Sequence, residues 1–468
     1  MIELTAGLVI YCVLLAVIGW LGGRKTQGFT GFTLADRKLG LIATTSTLAA
    51  TSIGATATIV TAIYVYKKGL AGAWIDWSGA IGFLLLAVFL AHRVRKMGVI
   101  TLPEIAGVFY GPVVRRIASF LVILAELAWL ALLIQASQLI ISSFAGVPPV
   151  YVTIGIALLF TAYTCWGGQR AVAWSDVLQL GVMFLGIVVV GAPMALKQAG
   201  GLAGFPDGFL SFPTSPSVSA LNIFEMFILL GLSHLVGSDL YGKLLSARDE
   251  RTARIASACA GAVKFVFGGA VILIALAAVK IMPGLPNPNA IFPQMILMIL
   301  PSPLDGVLLL GMLAAMMSSA DTVLLTAATT FCNDLAPGKS SGGQPGLREV
   351  RVVTLLFGLT GLLIALILQD VIAIMKLGYT IFAAGLIIPI LAGFYRHRLP
   401  VTPLAGGLAM VLGGGCALVW RWAGQPWVNP VVMGTGASCA GLLLGLLLSR
   451  NKLAREKIHP ADGTAQTE

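Results

Sequence analysis

Apolar runs of bilayer length follow one another along almost the whole chain, and they leave few folds open. About thirteen stretches each carry roughly 20 predominantly apolar residues, the length a helix needs to cross a hydrocarbon core. They lie at Thr5–Gly22, Leu41–Val65, Leu70–Ala91, Ile117–Phe144, Val150–Trp166, Trp174–Leu196 and Leu221–Leu244. The rest are Ala256–Ile281, Leu304–Phe331, Val352–Leu368, Val371–Tyr395, Pro403–Trp420 and Val431–Leu448. Only 10% of the 468 residues are charged, where a soluble chain of this size carries about a quarter. Lipid offers no partner to an open backbone, so these runs predict helices. The expected fold class is an all-α integral membrane protein.

The net charge of +11 invites a nucleic-acid reading, but its distribution argues against one. With the spans alternating from an outside N-terminus, all but seven of the 30 Lys and Arg residues fall at inner loops and span ends. The seven are Lys67, Lys68, Lys197, Lys264, Lys280, Lys376 and Arg421. That asymmetry is the positive-inside rule. It predicts a multi-pass protein of the cell inner (plasma) membrane, N-terminus outside and C-terminus cytoplasmic. The lipid bilayer is then the expected partner; no nucleic acid and no obligatory protein partner are implied. The first run lacks a basic n-region and an A-x-A exit, so it is expected to remain as a span.

The six cysteines are scattered without metal-ligand spacing and are expected to pack as small apolar residues. A single transmembrane domain is expected over residues 1–450, with 451–468 a disordered cytoplasmic tail. Gly201–Ser219 and Pro283–Pro303 read as external loops, Ala336–Glu349 as a cytoplasmic one.

The ninth run carries a polar stripe. Ala315, Ser318, Ser319 and Thr322 fall at i, i+3, i+4 and i+7, on one helical face, with Asp321 on its flank. Hydroxyls can back-bond to their own helix, and small residues permit close helix packing. A carboxylate at membrane depth is costly and marks an ion or substrate path.

Two other runs look interrupted: the second, with Thr44-Thr45-Ser46-Thr47 and Ala50-Thr51-Ser52-Ile53-Gly54, and the seventh, with Ser233-His234 and Gly237-Ser238-Asp239. Each opens a set of five runs, spanning residues 41–196 and 221–395, and five is odd, so the two sets have opposite orientations. Broken helices at matching positions of inverted repeats point to a transporter's central site.

With these features in view, Gly167–Gln179 (GGQRAVAWSDVLQ) resembles the sixth-span signature of the sodium:solute symporter family. The run Ser318-Ser319-Ala320-Asp321-Thr322, followed by Thr329-Thr330 and Asn333-Asp334, resembles its ninth-span signature, and Thr101-Leu102-Pro103-Glu104 is similar as well. The resemblance spans essentially all thirteen runs. It implies a LeuT-type fold of two inverted five-helix repeats with one leading and two trailing helices. It also implies a sodium ion held by the carbonyls of Ala50, Ile53 and Ala315 and the hydroxyls of Ser318 and Ser319. A second sodium at Asp176, Asp321 and Thr322, beside Ser318, is implied by some members. The alternative for Asp176 is a salt bridge to Arg170.

By the same resemblance Asp76, flanked by Trp74 and Trp77, matches a polar substrate ligand; its alternative is pairing with Lys67 or Lys68. The other substrate contacts expected are Ser52, Gly54, Thr56 and Ala57 on the second span and Gly237, Ser238 and Asp239 on the seventh. Glu126, Gln135 and Gln138 either face the cavity or bond helix to helix. Lys264 and Lys376 lie well inside spans, where each either counters a substrate carboxylate or pairs with a buried acid. Tyr379 and Phe382 are candidates for an outer gate. Sialic-acid carriers place an arginine on the fourth span; Trp129 stands near that position here, which disfavours that substrate.

The expected function is sodium-coupled import of a small polar organic solute by alternating access. The alternatives are proton coupling in the same fold and a transporter-like solute sensor. An enzyme is not expected: G-x-S-x-G, H-E-x-x-H and Walker motifs are absent from the sequence's cytoplasmic loops.

Overall fold

A computed structural model describes Val13, Val17 and residues 28–144, 146–285, 287–336, 345–399, 401–424 and 428–458. Among the described residues ten helices are long and apolar enough to cross a membrane. The bent pair Leu41–Ser52 and Thr56–Lys68 makes an eleventh, and the second run is therefore broken, as its hydroxyl content predicts. The shorter apolar helix Pro149–Cys165 corresponds to the fifth run. The first run, Thr5–Gly22, lies outside the described residues, so the count of thirteen rests on the sequence alone. Every other run is a helix, and the chain is all-α.

Packing divides the chain into two compact units. The first comprises Met1–Leu102 and Val122–Tyr379. Within it the ninth span, Leu304–Leu335, is the most enclosed: 89% of its apolar window is buried, against 28% for the tenth, Leu347–Ile367. A span that meets protein on all sides can carry polar groups that a lipid-facing span cannot, so the Ser318–Thr322 stripe sits where its chemistry is tolerable. Gly168, at φ 66° and ψ 170°, separates the fifth span from the sixth (Val172–Gln198); the left-handed φ suits glycine, and a Cβ there would meet the Phe32 ring at 2.9 Å. The start of the second span and the end of the seventh are pinned together: Leu39 N donates to Ser246 O at 3.1 Å and Arg248 N to Leu39 O at 2.9 Å.

Two expectations change. Pro283–Pro303, read as a loop, contains the helices Pro288–Ala290 and Ile291–Ile299. Ile291, Phe292, Met295, Ile296 and Ile299 are buried, and their i, i+4 spacing is an apolar stripe too short to register as a span. The last helix, Pro430–Ile458, continues eight residues into the segment read as a disordered tail. Its extension, NKLAREKI, is rich in helix-forming Lys, Leu, Ala, Arg and Glu.

The second unit comprises Pro103–Leu121 and Thr380–Glu468. Its helices Pro403–Trp422 and Pro430–Ile458 approach closely at small residues. A Cβ on Gly434 would lie 2.6 Å from Ala417 Cβ, and one on Gly441 2.7 Å from Leu408 O. Glycine lets the backbones touch, as in membrane packing generally.

Candidate ion and solute site

The break in the second span begins with competition for carbonyls. Thr51 Oγ1 donates to Thr47 O at 2.8 Å and Ser52 Oγ to Ala49 O at 2.9 Å. Ile53, at φ −94° and ψ 37°, leaves the helix while its N–H still reaches Ala49 O and Ala50 O. Side chains that satisfy backbone groups locally weaken the helical alternative. The chain resumes at Thr56 with a 57° bend.

The carbonyls freed at this break are met from other spans. Ser319 Oγ, on the ninth span, lies 3.2 Å from Thr51 O and 3.5 Å from Ala50 O. Lys264 Nζ, on the eighth span (Glu250–Ile281), lies 3.1 Å from Ser52 O. Two adjacent carbonyls thus face a hydroxyl on one side and an ammonium on the other.

Below Ser319 the stripe divides. Ser318 Oγ donates to Asp176 Oδ1, and Thr47 Oγ1 donates to Asp176 Oδ2 at 2.5 Å. The Asp176 carboxylate therefore joins the second, sixth and ninth spans. Asp321 turns to the fifth span, where Thr164 Oγ1 lies 2.6 Å from its Oδ1. Thr322 Oγ1 bonds back to Ser318 O at 3.0 Å. The structure brings Asp176 and Ser318 into contact but holds Asp321 on separate partners. The Arg170 side chain, weighed as a partner for Asp176, lies outside the described residues.

A cavity opens beside the break. The second span lines it with Thr51, Ser52, Gly54, Ala55 and Thr56, the seventh with Ser233, His234, Asp239 and Leu240. Ser319 and Val323 of the ninth span, Trp129, Leu132 and Leu133 of the fourth, and Tyr379 of the eleventh complete it. Of the expected solute contacts, Ser52, Gly54, Thr56 and Asp239 line the cavity, and Ala57, Asp76, Gly237 and Ser238 do not. Ser238 Oγ instead donates to Glu126 Oε1 at 2.5 Å. Gly237 breaks the seventh span at ψ 126°, and a Cβ there would lie 2.9 Å from Asp239 Oδ1. Its glycine gives the Asp239 carboxylate room. Trp129 and Tyr379 meet at 5.0 Å between centroids and His234 stacks on Tyr379 at 6.4 Å, so one wall is aromatic.

Asp76 has a different partner from either one weighed. Its Oδ1 lies 2.6 Å from Lys264 Nζ, with both side chains buried. The flanking tryptophans point elsewhere: Trp74 stacks on Phe212 at 5.3 Å and Trp77 on Phe265 at 4.8 Å. Gln135 bonds the tenth span at Ala365 O, and Gln138 bonds Ser142 Oγ of its own helix at 2.7 Å. Gln135 therefore bonds helix to helix, and Gln138 bonds within its own helix. Tyr379 lines the cavity, whereas Phe382 belongs to the second unit.

Sequence reasoning missed Lys243. Counted among inner-loop charges, it is 1% exposed, with Nζ 3.2 Å from Gln169 Oε1, and its field acts on Asp176, Asp321 and Asp239. The available signal was its i+4 spacing from Asp239 on the second half of the broken span. Lys243, Gln169 and Thr322 line a second, smaller cavity, and Asp239 lines both.

The profile of the sodium:solute symporter family matches residues 32–215 and 239–402, well over half the chain. The chain belongs to the sodium:solute symporter family. The symporter is 27% identical over 408 residues to the sodium/glucose cotransporter of Vibrio parahaemolyticus, covering 78% of this chain and 73% of that one. It is 26% identical over 396 residues to the high affinity choline transporter 1 of Homo sapiens (79% and 68% covered). It is 22% identical over 484 residues to the sodium/proline symporter of Escherichia coli strain K12 (95% and 94%). Among solved structures, a Na+-coupled sialic acid symporter in a substrate-bound outward-open state superposes with TM-score 0.78 at 17% identity, covering 95% of this chain and 98% of that one. Mhp1, a nucleobase-cation-symport-1 family transporter, superposes with TM-score 0.60 at 14% identity (90% and 94%). The fold is therefore LeuT-type, and the protein is a transporter rather than an enzyme.

Proposed function

We propose that this symporter imports a small polar solute across the plasma membrane, driven by sodium, with its N-terminus outside and its C-terminus in the cytoplasm. The observation that carries the reading is Ser319: its hydroxyl meets the carbonyls of the broken span and also lines the solute cavity. One side chain serving both places gives ion and solute a shared wall, a route by which binding of one changes the affinity for the other. Sodium takes the carbonyl oxygens of Ala50, Ile53 and Ala315 and the hydroxyl oxygens of Ser318 and Ser319. Alkali cations favour such a hard-oxygen set, which an unwound helix supplies. Bound sodium ties the second span to the ninth in the solute-ready state, and its release inward loosens that tie. Each inward sodium also draws about 2.3 kcal/mol per 100 mV from the membrane potential.

The cavity chemistry narrows the solute. Among the described residues it offers one carboxylate, Asp239, several hydroxyls, an aromatic wall and no Lys or Arg. That lining favours a solute bearing an ammonium group over one with net negative charge. A second sodium at Asp176, Asp321 and Thr322 is the further reading; charge moved per solute molecule separates one ion from two.

The test is a thermal-shift screen with and without sodium over choline, proline, glucose and sialic acid, followed by uptake into proteoliposomes. Stabilisation by an ammonium-bearing solute only with sodium, and uptake that needs inward sodium, are expected. Equal uptake in sodium-free buffer overturns the reading.

A further inference from the structure

Lys264 and Asp76 form a built pair. Lys264 Nζ bonds both Asp76 Oδ1 at 2.6 Å and Ser52 O at 3.1 Å, joining the eighth, third and second spans. Two glycines make the slot. A Cβ on Gly79, one turn from Asp76, would lie 2.9 Å from Lys264 Cε, and a Cβ on Gly268, one turn from Lys264, would run into Asp76 Oδ2. That second carboxylate oxygen is buried with no hydrogen-bond partner. Neither charged side chain is among the residues that line the two cavities described above.

The ammonium caps a helix end. Ser52 is the last residue of the half-helix Leu41–Ser52, whose free carbonyls carry the negative end of its dipole. A cation is favoured there on electrostatic grounds, and Lys264 supplies one that cannot leave.

We propose that the Lys264 ammonium is a tethered cation, filling on the Asp76 side of the break the position that an ion would otherwise occupy, and so holding the break ready for sodium on the Ser319 side. Lys264 is thus a positioning residue. Removing its side chain leaves Asp76 Oδ1, Asp76 Oδ2 and Ser52 O around one space, a set of hard oxygens suited to an alkali cation. The inference rests on the sodium-symport reading above.

The experiment measures equilibrium binding of radioactive sodium, and uptake, on the full-length protein and two variants. In Lys264→Ala, uptake at low sodium falls about a hundredfold, as expected for an orphaned buried carboxylate. The sodium dependence steepens, the variant binds one more sodium ion per chain than the unsubstituted protein, and methylammonium restores uptake. In the charge-neutral double variant Asp76→Asn with Lys264→Met there is no extra ion and no rescue, and the sodium concentration for half-saturation rises.

Equal sodium counts in Lys264→Ala and the unsubstituted protein, without methylammonium rescue, overturn the proposal and leave the symport reading intact. If Lys264→Ala does not fold, the double variant decides: unchanged sodium affinity in it overturns the proposal. Absence of sodium binding to the unsubstituted protein overturns the symport reading itself, and this inference with it.

Discussion

Gly54 and Ser319 face each other across the break in the second span. A Cβ on Gly54 would lie 3.1 Å from Ser319 Oγ and 3.3 Å from Leu133 Cδ2, tighter than ordinary contact on both sides. Gly54→Ala therefore pushes Ser319 off the carbonyls it meets. Overpacking of this kind costs about 1–3 kcal/mol, which is a several-fold to roughly hundredfold change in an equilibrium. The sodium concentration for half-maximal uptake rises accordingly; sodium titration of uptake in proteoliposomes checks it.

Ser318 and Ser319 are separable. Ser319→Ala removes a group from the break, and half-saturation by sodium rises about tenfold, the worth of one bond to a charged group. Ser318→Ala removes the link to Asp176 as well, so it also releases the contact between the sixth and ninth spans. Melting temperature in sodium-free buffer should fall for both variants, and further for Ser318→Ala, whose hydroxyl bonds a buried carboxylate. Equal melting of both would show that the Asp176 contact adds no more stability than the bond from Ser319 to the break.

The aromatic wall and Asp239 should govern solute affinity. Tyr379→Leu loses one face of the cavity, and for a cationic group that interaction is worth about 1–2 kcal/mol, or 5- to 30-fold in KM. Asp239→Asn raises KM for an ammonium-bearing solute by about tenfold or more. Initial-rate uptake at saturating sodium reads both. A variant whose KM for every solute stays the same would remove that side chain from recognition.

Acid stability has one exposed contributor that can be worked through. Asp249 caps the eighth span, its Oδ1 accepting from Thr252 N at 2.7 Å, and this bond holds its carboxyl below the ordinary aspartate range. The folded-state value is depressed, so the contribution is fully present above the unfolded value of about 3.9 and is lost as pH falls through the lower folded value. Melting temperatures of the protein and of Asp249→Ala, compared from pH 7 downward, should converge below that range.

What could be read from the sequence was local. Span lengths follow from apolar runs, and the two breaks follow from clustered hydroxyls and Gly237, because both signals lie within a few residues. Partners across the fold were not readable in this way. Asp76 invited pairing with Lys67 or Lys68 nearby, and its true partner is 188 positions away. Lys243 counted as an inner-loop charge because the positive-inside rule weighs sign and position along the chain, with no knowledge of burial. Burial follows from how spans pack, and an apolar pattern says little about that when every face is apolar.

Asp239 borders both the larger and the smaller cavity. At that point one side chain is common to the walls of both. A single negative charge therefore enters the electrostatics of both spaces, and the bare backbone of Gly237 beside it gives that carboxylate its room.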